Sequence, residues 1–138
     1  MTTAEQIMHE DAHWIPATET LDRAAQMMRQ AGIGALPVSD SNRRMCGIIT
    51  DRDIVLKCVA LGHDPSKVTA GDLCEGTPRW ADADDDITDV LAQMESHRIR
   101  RMPVIRDKQL VGMISEADIA RNLPEAQVAE FVERICAA

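Results

Sequence analysis

The chain has 138 residues, of which 45% are hydrophobic but only 2% aromatic, and it carries a net charge of −8. That is enough apolar material for a compact core built mainly from Met, Leu, Ile and Val. The acidic balance argues against general nucleic-acid binding and against adhesion to anionic membranes. No apolar run approaches the roughly 20 residues of a membrane span. The opening MTTAEQIMHEDAHW has neither the basic start nor the apolar centre of a signal peptide, so a cytoplasmic protein is expected.

In chain order, Leu21, Ala24, Ala25 and Met28 form the first apolar stripe at helical spacing. Glu19 suits the positive start of that helix and Gly32 its end. A short strand follows, Ala35-Leu36-Pro37-Val38, whose proline has no N–H to give a ladder. After a polar turn comes a strand from Met45 to Ile49, then a helix from about Asp51 to Leu61 stopped by Gly62. The same order then returns. Asp84, Asp85 and Asp86 precede a stripe of Ile87, Val90, Leu91 and Met94. Strands follow at Arg101 to Val104 and Leu110 to Ile114, then a helix begins near Glu116 and is halted by Pro124. The tail, Glu125 to Cys136, sets Val128, Phe131, Val132 and Ile135 at helical spacing. Whether it covers its own chain or meets a partner is left open by the pattern.

The return is a duplication. Shifted by 66 residues, Thr3-Ala4 falls on Thr69-Ala70, Trp14 on Trp80, Leu21 on Ile87, Met28 on Met94 and Pro37-Val38 on Pro103-Val104. One residue is then lost in the hairpin loop, as loops tolerate. The expected fold is therefore α/β, a β-α-β-β-α unit written twice (1–66 and 67–124) with an amphipathic helix over 125–138. Neither copy has enough core alone, and sheet-to-sheet pairing would bury both apolar faces.

Both copies keep a glycine, a hydroxyl and an aspartate at one spacing: GIITDRDI from Gly47 and GMISEADI from Gly112. The pattern [ST]-x-x-[DE] is a capping box, with Thr50 or Ser115 as N-cap and Asp53 or Asp118 one turn on. It is also a ligand grip. A helix start with free N–H groups attracts anions, and an ionised aspartate accepts hydrogen bonds without donating any, as two vicinal ribose hydroxyls require. The residues alone leave both readings open, and they can coexist.

The other chemistry-bearing residues read more plainly. Cys46, Cys58, Cys74 and Cys136 show no C-x-x-C pair and are expected as small buried hydrophobes. His9, His13, His63 and His97 offer no metal-ligand pattern beyond one i, i+4 pair. Asp82, Asp84, Asp85 and Asp86 lack the glycine turn of a calcium loop and read as solvated charge at a helix start. Trp14 and Trp80 are expected to pack within the repeats, with base stacking as the alternative. No metal site is expected.

The tandem β-α-β-β-α unit, each copy carrying h-P-V and then G-h-h-[ST]-x-x-D, resembles a pair of cystathionine-β-synthase (CBS) domains, the arrangement called a Bateman module. The resemblance spans nearly the whole chain. It implies two repeats related by a pseudo-twofold axis, with clefts between them that bind adenosine nucleotides (AMP, ADP or ATP). By that resemblance Asp53 and Asp118 would contact ribose, while Thr50 and Ser115 would help to hold phosphate or ribose. Ala35, Leu36 and Pro37 would meet adenine through backbone and apolar contacts, as would Arg101, Met102 and Pro103. Arg100 and Arg101 would hold phosphate, with His97 and Arg98 nearby. The first copy has Gly34 and Ala35 at the places of those two arginines, so unequal affinities are expected. The bland alternative for Arg98, Arg100 and Arg101 is a solvated helix end.

The resemblance also implies a non-catalytic regulatory module without an obligatory cofactor, a homodimer associating through helices, and an effector protein reached in trans. No nucleophile–base pair or Gly-rich phosphate loop points to an enzyme. The rival expectation is a stress-associated interaction or metal-holding protein that binds no nucleotide. The four cysteines and the arginines missing from the first copy favour it.

Overall fold

A computed structural model describes residues 1–10, 13–74 and 78–136. The chain divides into two compact units, His13–Pro78 and a second made of Met1–Ala12 with Arg79–Ala138.

In the 13–78 unit, β1 (Ile15–Pro16), α2 (Leu21–Ala31), β2 (Ala35–Ser39), β3 (Met45–Thr50) and α3 (Asp51–Ile54) follow in the expected order, with α1 reserved for Ala4–Ile7 of the other unit. A π-helical turn, Val55–Val59, continues α3. The sheet order is β1-β2-β3, parallel then antiparallel. Leu21, Ala24 and Met28 of α2 are buried with Ile15, Leu36, Val38 and Ile49, so the stripe read from the sequence faces this sheet. Gly32 ends α2 in the left-handed conformation at φ 67°, where a residue without Cβ is unstrained.

The 79–138 unit repeats this plan in β4 (Ala81–Asp82), α5 (Ile87–His97), β5 (Arg101–Arg106), β6 (Gln109–Ser115) and α6 (Glu116–Asn122). Its sheet order is β4-β5-β6. The tail forms α7 (Glu125–Cys136), and Phe131 and Ile135 are buried in this unit's own core, with Val128 packed against it. That resolves the alternative left open above: α7 covers its own chain. Arg134 Nη1 ties it to Glu95 Oε2 on α5 at 3.0 Å.

Pro37 and Pro103 lie in the central strand of each sheet, a place prolines seldom occupy. They are tolerated because the outer parallel strand has two residues and pairs only beyond the proline, with Val38 and Ser39 or with Val104 and Ile105.

The repeat and the compact unit are cut differently. The helix α1 (Ala4–Ile7) opens the first sequence copy but belongs to the 79–138 unit. There Ala4 N–H donates to Asp85 O, Glu5 N–H to Ala83 O, and Ile87 N–H to Thr2 O. The helix α4 (Ala70–Leu73) opens the second copy, yet Ala70 N–H donates to Glu19 O, Gly71 N–H to Ala17 O, and Leu21 N–H to Val68 O. These three bonds match one for one, so each unit is completed by the first turn of the other copy.

Two expectations change. Trp14 and Trp80 are 45% and 43% exposed, because Ile15 and Ala81, the next residues along, take the buried face and pleating turns each tryptophan outward. Of the cysteines only Cys58 is buried; Cys46 and Cys74 are partly exposed and Cys136 exposed.

Candidate functional site

Thr50 and Ser115 end their strands and cap the helices that follow, so the duplicated hydroxyls and carboxylates meet as the spacing requires. In the 13–78 unit, Asp53 Oδ2 accepts from Thr50 N at 2.9 Å, and Asp53 N–H donates to Thr50 Oγ1 at 3.0 Å. In the 79–138 unit, Asp118 Oδ2 accepts from Ser115 N at 2.8 Å and from Ser115 Oγ at 2.9 Å. Both are reciprocal capping boxes. The cap engages Oδ2 of each aspartate and leaves Oδ1 outside it.

The surroundings of the two carboxylates differ. Asp53 is 25% exposed, and Lys57 Nζ, one turn on, lies 3.4 Å from its Oδ1. Asp118 is only 8% exposed, and His9 Nδ1 lies 2.6 Å from its Oδ2. His9 reaches that place because its backbone forms a two-bond bridge with Met113, each N–H donating to the other's carbonyl at 3.0 Å. Neither pairing is among the sequence-based expectations. The i, i+4 spacing of Asp53 and Lys57 was a usable signal for one; nothing local links His9 to a residue 109 positions away.

The glycine of the motif is explained by the same N-terminal segments. A Cβ on Gly112 would fall onto Met8 Sδ and lie 2.9 Å from His9 O. A Cβ on Gly47 would lie 2.8 Å from Cys74 Sγ and 3.1 Å from Cys74 Cβ. Only a residue without a side chain lets the exchanged segment close on the strand.

The segments expected to face adenine run beside the caps. Ala35 pairs with Thr50 and Arg101 with Ser115. Leu36 and Met102 are fully buried in their cores and Pro37 and Pro103 are buried with them, so what Leu36 and Met102 can offer a ligand is backbone. Arg100 is exposed, with Nε 3.4 Å from Glu116 Oε1, and Arg101 is exposed at the first position of β5. At the counterpart of Arg100, a Cβ on Gly34 would lie 3.0 Å from Asp51 Oδ2. Asp51 is the counterpart of Glu116, so an acidic side chain lies close over the glycine where the other copy sets an arginine–glutamate pair. The charge difference between the copies is built into their packing.

The acidic run before α5 is occupied in turn-making and pairing. Asp85 Oδ2 accepts from Asp82 N at 2.9 Å, Asp86 Oδ1 from Thr88 N at 2.9 Å, and Asp84 pairs with Arg106 at 3.4 Å. Among the described residues no three His, Cys, Asp or Glu side chains converge as a metal ion requires. Nor is any helix among them long and apolar enough to cross a membrane.

Comparison with known proteins agrees with this architecture. The CBS domain family profile matches twice, over residues 4–59 and 70–125, and the chain belongs to that family as a tandem pair. Hypoxic response protein 1 of Mycobacterium tuberculosis is 47% identical over 136 residues, 99% of this chain and 95% of that protein. The CBS domain-containing protein YhcV of Bacillus subtilis is 31% identical over 88% of this chain and 86% of its own. A crystal structure of Hypoxic Response Protein I with two coordinated zinc ions superposes at a TM-score of 0.82, with 47% identity, covering 89% of this chain and all of the other. A hexameric CBS-CP12 protein from bloom-forming cyanobacteria gives 0.80 at 28% identity, covering 92% of this chain and 74% of that one.

Proposed function

We propose that this tandem CBS pair is a non-catalytic regulatory module that binds an adenosine-containing nucleotide of the AMP, ADP or ATP class. In this reading Asp53 and Asp118 take the ribose hydroxyls and Thr50 and Ser115 lie beside the phosphate or ribose. The backbone at Ala35–Pro37 and Met102–Pro103 borders the adenine, and Arg100 and Arg101 take phosphate. The observation that carries it is the cap geometry: each cap holds its aspartate by Oδ2, next to a strand in fixed register, and leaves Oδ1 to other partners, Lys57 Nζ at 3.4 Å in the case of Asp53. A carboxylate held by one edge is oriented at little further entropic cost when it meets a diol. The nucleotide would act by favouring one arrangement of the protein, and only by as much as it binds that arrangement better.

Self-association is part of this reading. Val55, Leu56 and Val59 on the π-helical turn after α3, and Leu61 just beyond it, are exposed, an apolar face that a second copy would cover, and the CBS-CP12 neighbour is hexameric. An effector protein would be met in trans.

Calorimetric titration with adenosine, AMP, ADP and ATP tests the proposal. Asp118→Ala should weaken binding by about 1.5–3 kcal/mol, because a hydrogen bond to a charged group is lost, or roughly 10- to 150-fold. An unchanged affinity in a folded variant would reduce Asp118 to a helix cap. Replacing Arg100 and Arg101 together should weaken AMP far more than adenosine; equal losses would remove them from the phosphate site. The zinc of the related structure supports a second reading, a metal-holding protein. Stoichiometric metal in purified protein with no heat from any nucleotide would favour that one.

A further inference from the structure

One pair of reactive side chains lies outside the features used above. Cys46 Sγ and Cys74 Sγ are 3.9 Å apart, both free and both partly exposed. The fold brings them together by two separate devices. The β2–β3 ladder shifts register after Val38, which pairs with Gly47 while Ser39 pairs with Met45. Cys46 is thus the extra residue of a β-bulge, a feature that re-aims a side chain. Cys74 arrives from the exchanged segment after α4, and Gly47 lets it approach the strand.

The duplication provides an internal control. The β5–β6 ladder has the same shift, Val104 pairing with Gly112 and Ile105 with Leu110, so Val111 is the extra residue there. The residue closing on Gly112 is Met8. Val111 and Met8 pack against the core of their unit. Filling this niche therefore needs only two ordinary hydrophobes, yet the 13–78 unit sets two thiols there.

We propose that Cys46 and Cys74 are a redox-modification site, a dithiol that hydrogen peroxide closes to an intramolecular disulfide and a thiol reductant reopens. The sulfurs must approach by about 2 Å to reach bonding distance. Cys46 thiolate attacks one peroxide oxygen, the O–O bond breaks, and with a proton one water leaves, giving Cys46–SOH. Cys74 sulfur then attacks the Cys46 sulfur and loses its proton as the S–O bond breaks, so the hydroxyl departs as a second water. Two thiols lose two electrons and two protons, and one peroxide becomes two waters. Burial, then the adjacent Cys46 and Asp53, push the Cys74 thiol up to about 12. It therefore stays protonated at neutral pH, which leaves Cys46 as the thiol that meets the peroxide first. Among the described residues no third ligand joins the pair into a zinc site.

The test uses the intact chain treated with hydrogen peroxide, denatured, alkylated and mapped by mass spectrometry. Two of the four cysteines should resist alkylation, with tryptic peptides 45–52 and 68–79 joined, and dithiothreitol should part them. Cys74→Ser should leave Cys46 as a sulfenic acid trapped by dimedone. Four alkylatable cysteines after treatment of the wild-type chain, or loss traced instead to Cys136 joined between chains, would overturn the proposal. The wild-type map decides this without a variant, and independently of whether any nucleotide binds.

Discussion

The two units share one plan and one cap geometry but differ in the side chains set around the motif carboxylate. In the 79–138 unit the motif carboxylate is nearly buried and faces His9, an arginine and a glutamate pair beside the helix start, and α7 closes the core. In the 13–78 unit the carboxylate is three times more exposed and faces Lys57, a glycine and an aspartate replace that ion pair, and two thiols fill the niche held elsewhere by Met8 and Val111. Backbone geometry has been kept in both copies while side-chain function has been free to diverge. The motif is thus first a structural device, a cap with a glycine seat for the exchanged segment. Any ligand role is layered on it, and unequally.

The largest expected effect separates the units by their cores. Phe131→Ala removes a fully buried ring from the 79–138 unit and should cost about 3–5 kcal/mol by urea unfolding. A loss under about 1 kcal/mol would mean that α7 is not needed there and would make the units alike. Next come the two glycines. Gly112→Ala forces its Cβ against Met8 and the His9 carbonyl, and overpacking of this kind costs about 1–3 kcal/mol. Gly47→Ala should cost less, because its closest obstacle is the Cys74 thiol, which can rotate aside, and the nearest backbone atom lies 3.6 Å away. Equal costs in the same denaturation assay would show that both seats are equally rigid.

The smallest effect is a pH slope. Cys74 is raised from 9.0 to about 12 in the folded chain. Between those values the unfolded thiol ionises while the folded one stays protonated, so the unfolded state binds fewer protons and stability falls as pH rises. Unfolding midpoints measured between pH 9 and pH 11 should decline, and the decline should flatten in Cys74→Ala. An identical slope in that variant would assign the loss to other groups.

Much was legible in the sequence because it is local or internally repeated. The amphipathic stripes of α2 and α5, the order of elements along the chain, the end of α2 at Gly32 and the caps at Thr50 and Ser115 follow from local spacing. Duplication strengthened each by writing it twice. The expectation of buried cysteines was right only for Cys58. It missed the bulge that exposes Cys46, because a register shift depends on the partner strand. The outward turn of Trp14 and Trp80 has no local signature for a similar reason: the strands they precede are two residues long, too short to show alternation.

The unit, its caps and its family pattern can thus be read from the amino-acid order because they rest on spacing within a few residues, and the duplication can be read because that spacing is written twice. Only the tertiary structure decided that each unit borrows its first turn from the other copy, that His9 meets Asp118, that Cys46 meets Cys74, and that α7 stays with its own chain. Those contacts join residues far apart in the chain, and their geometry exists only once sheets, bulges and the exchanged segments are in place.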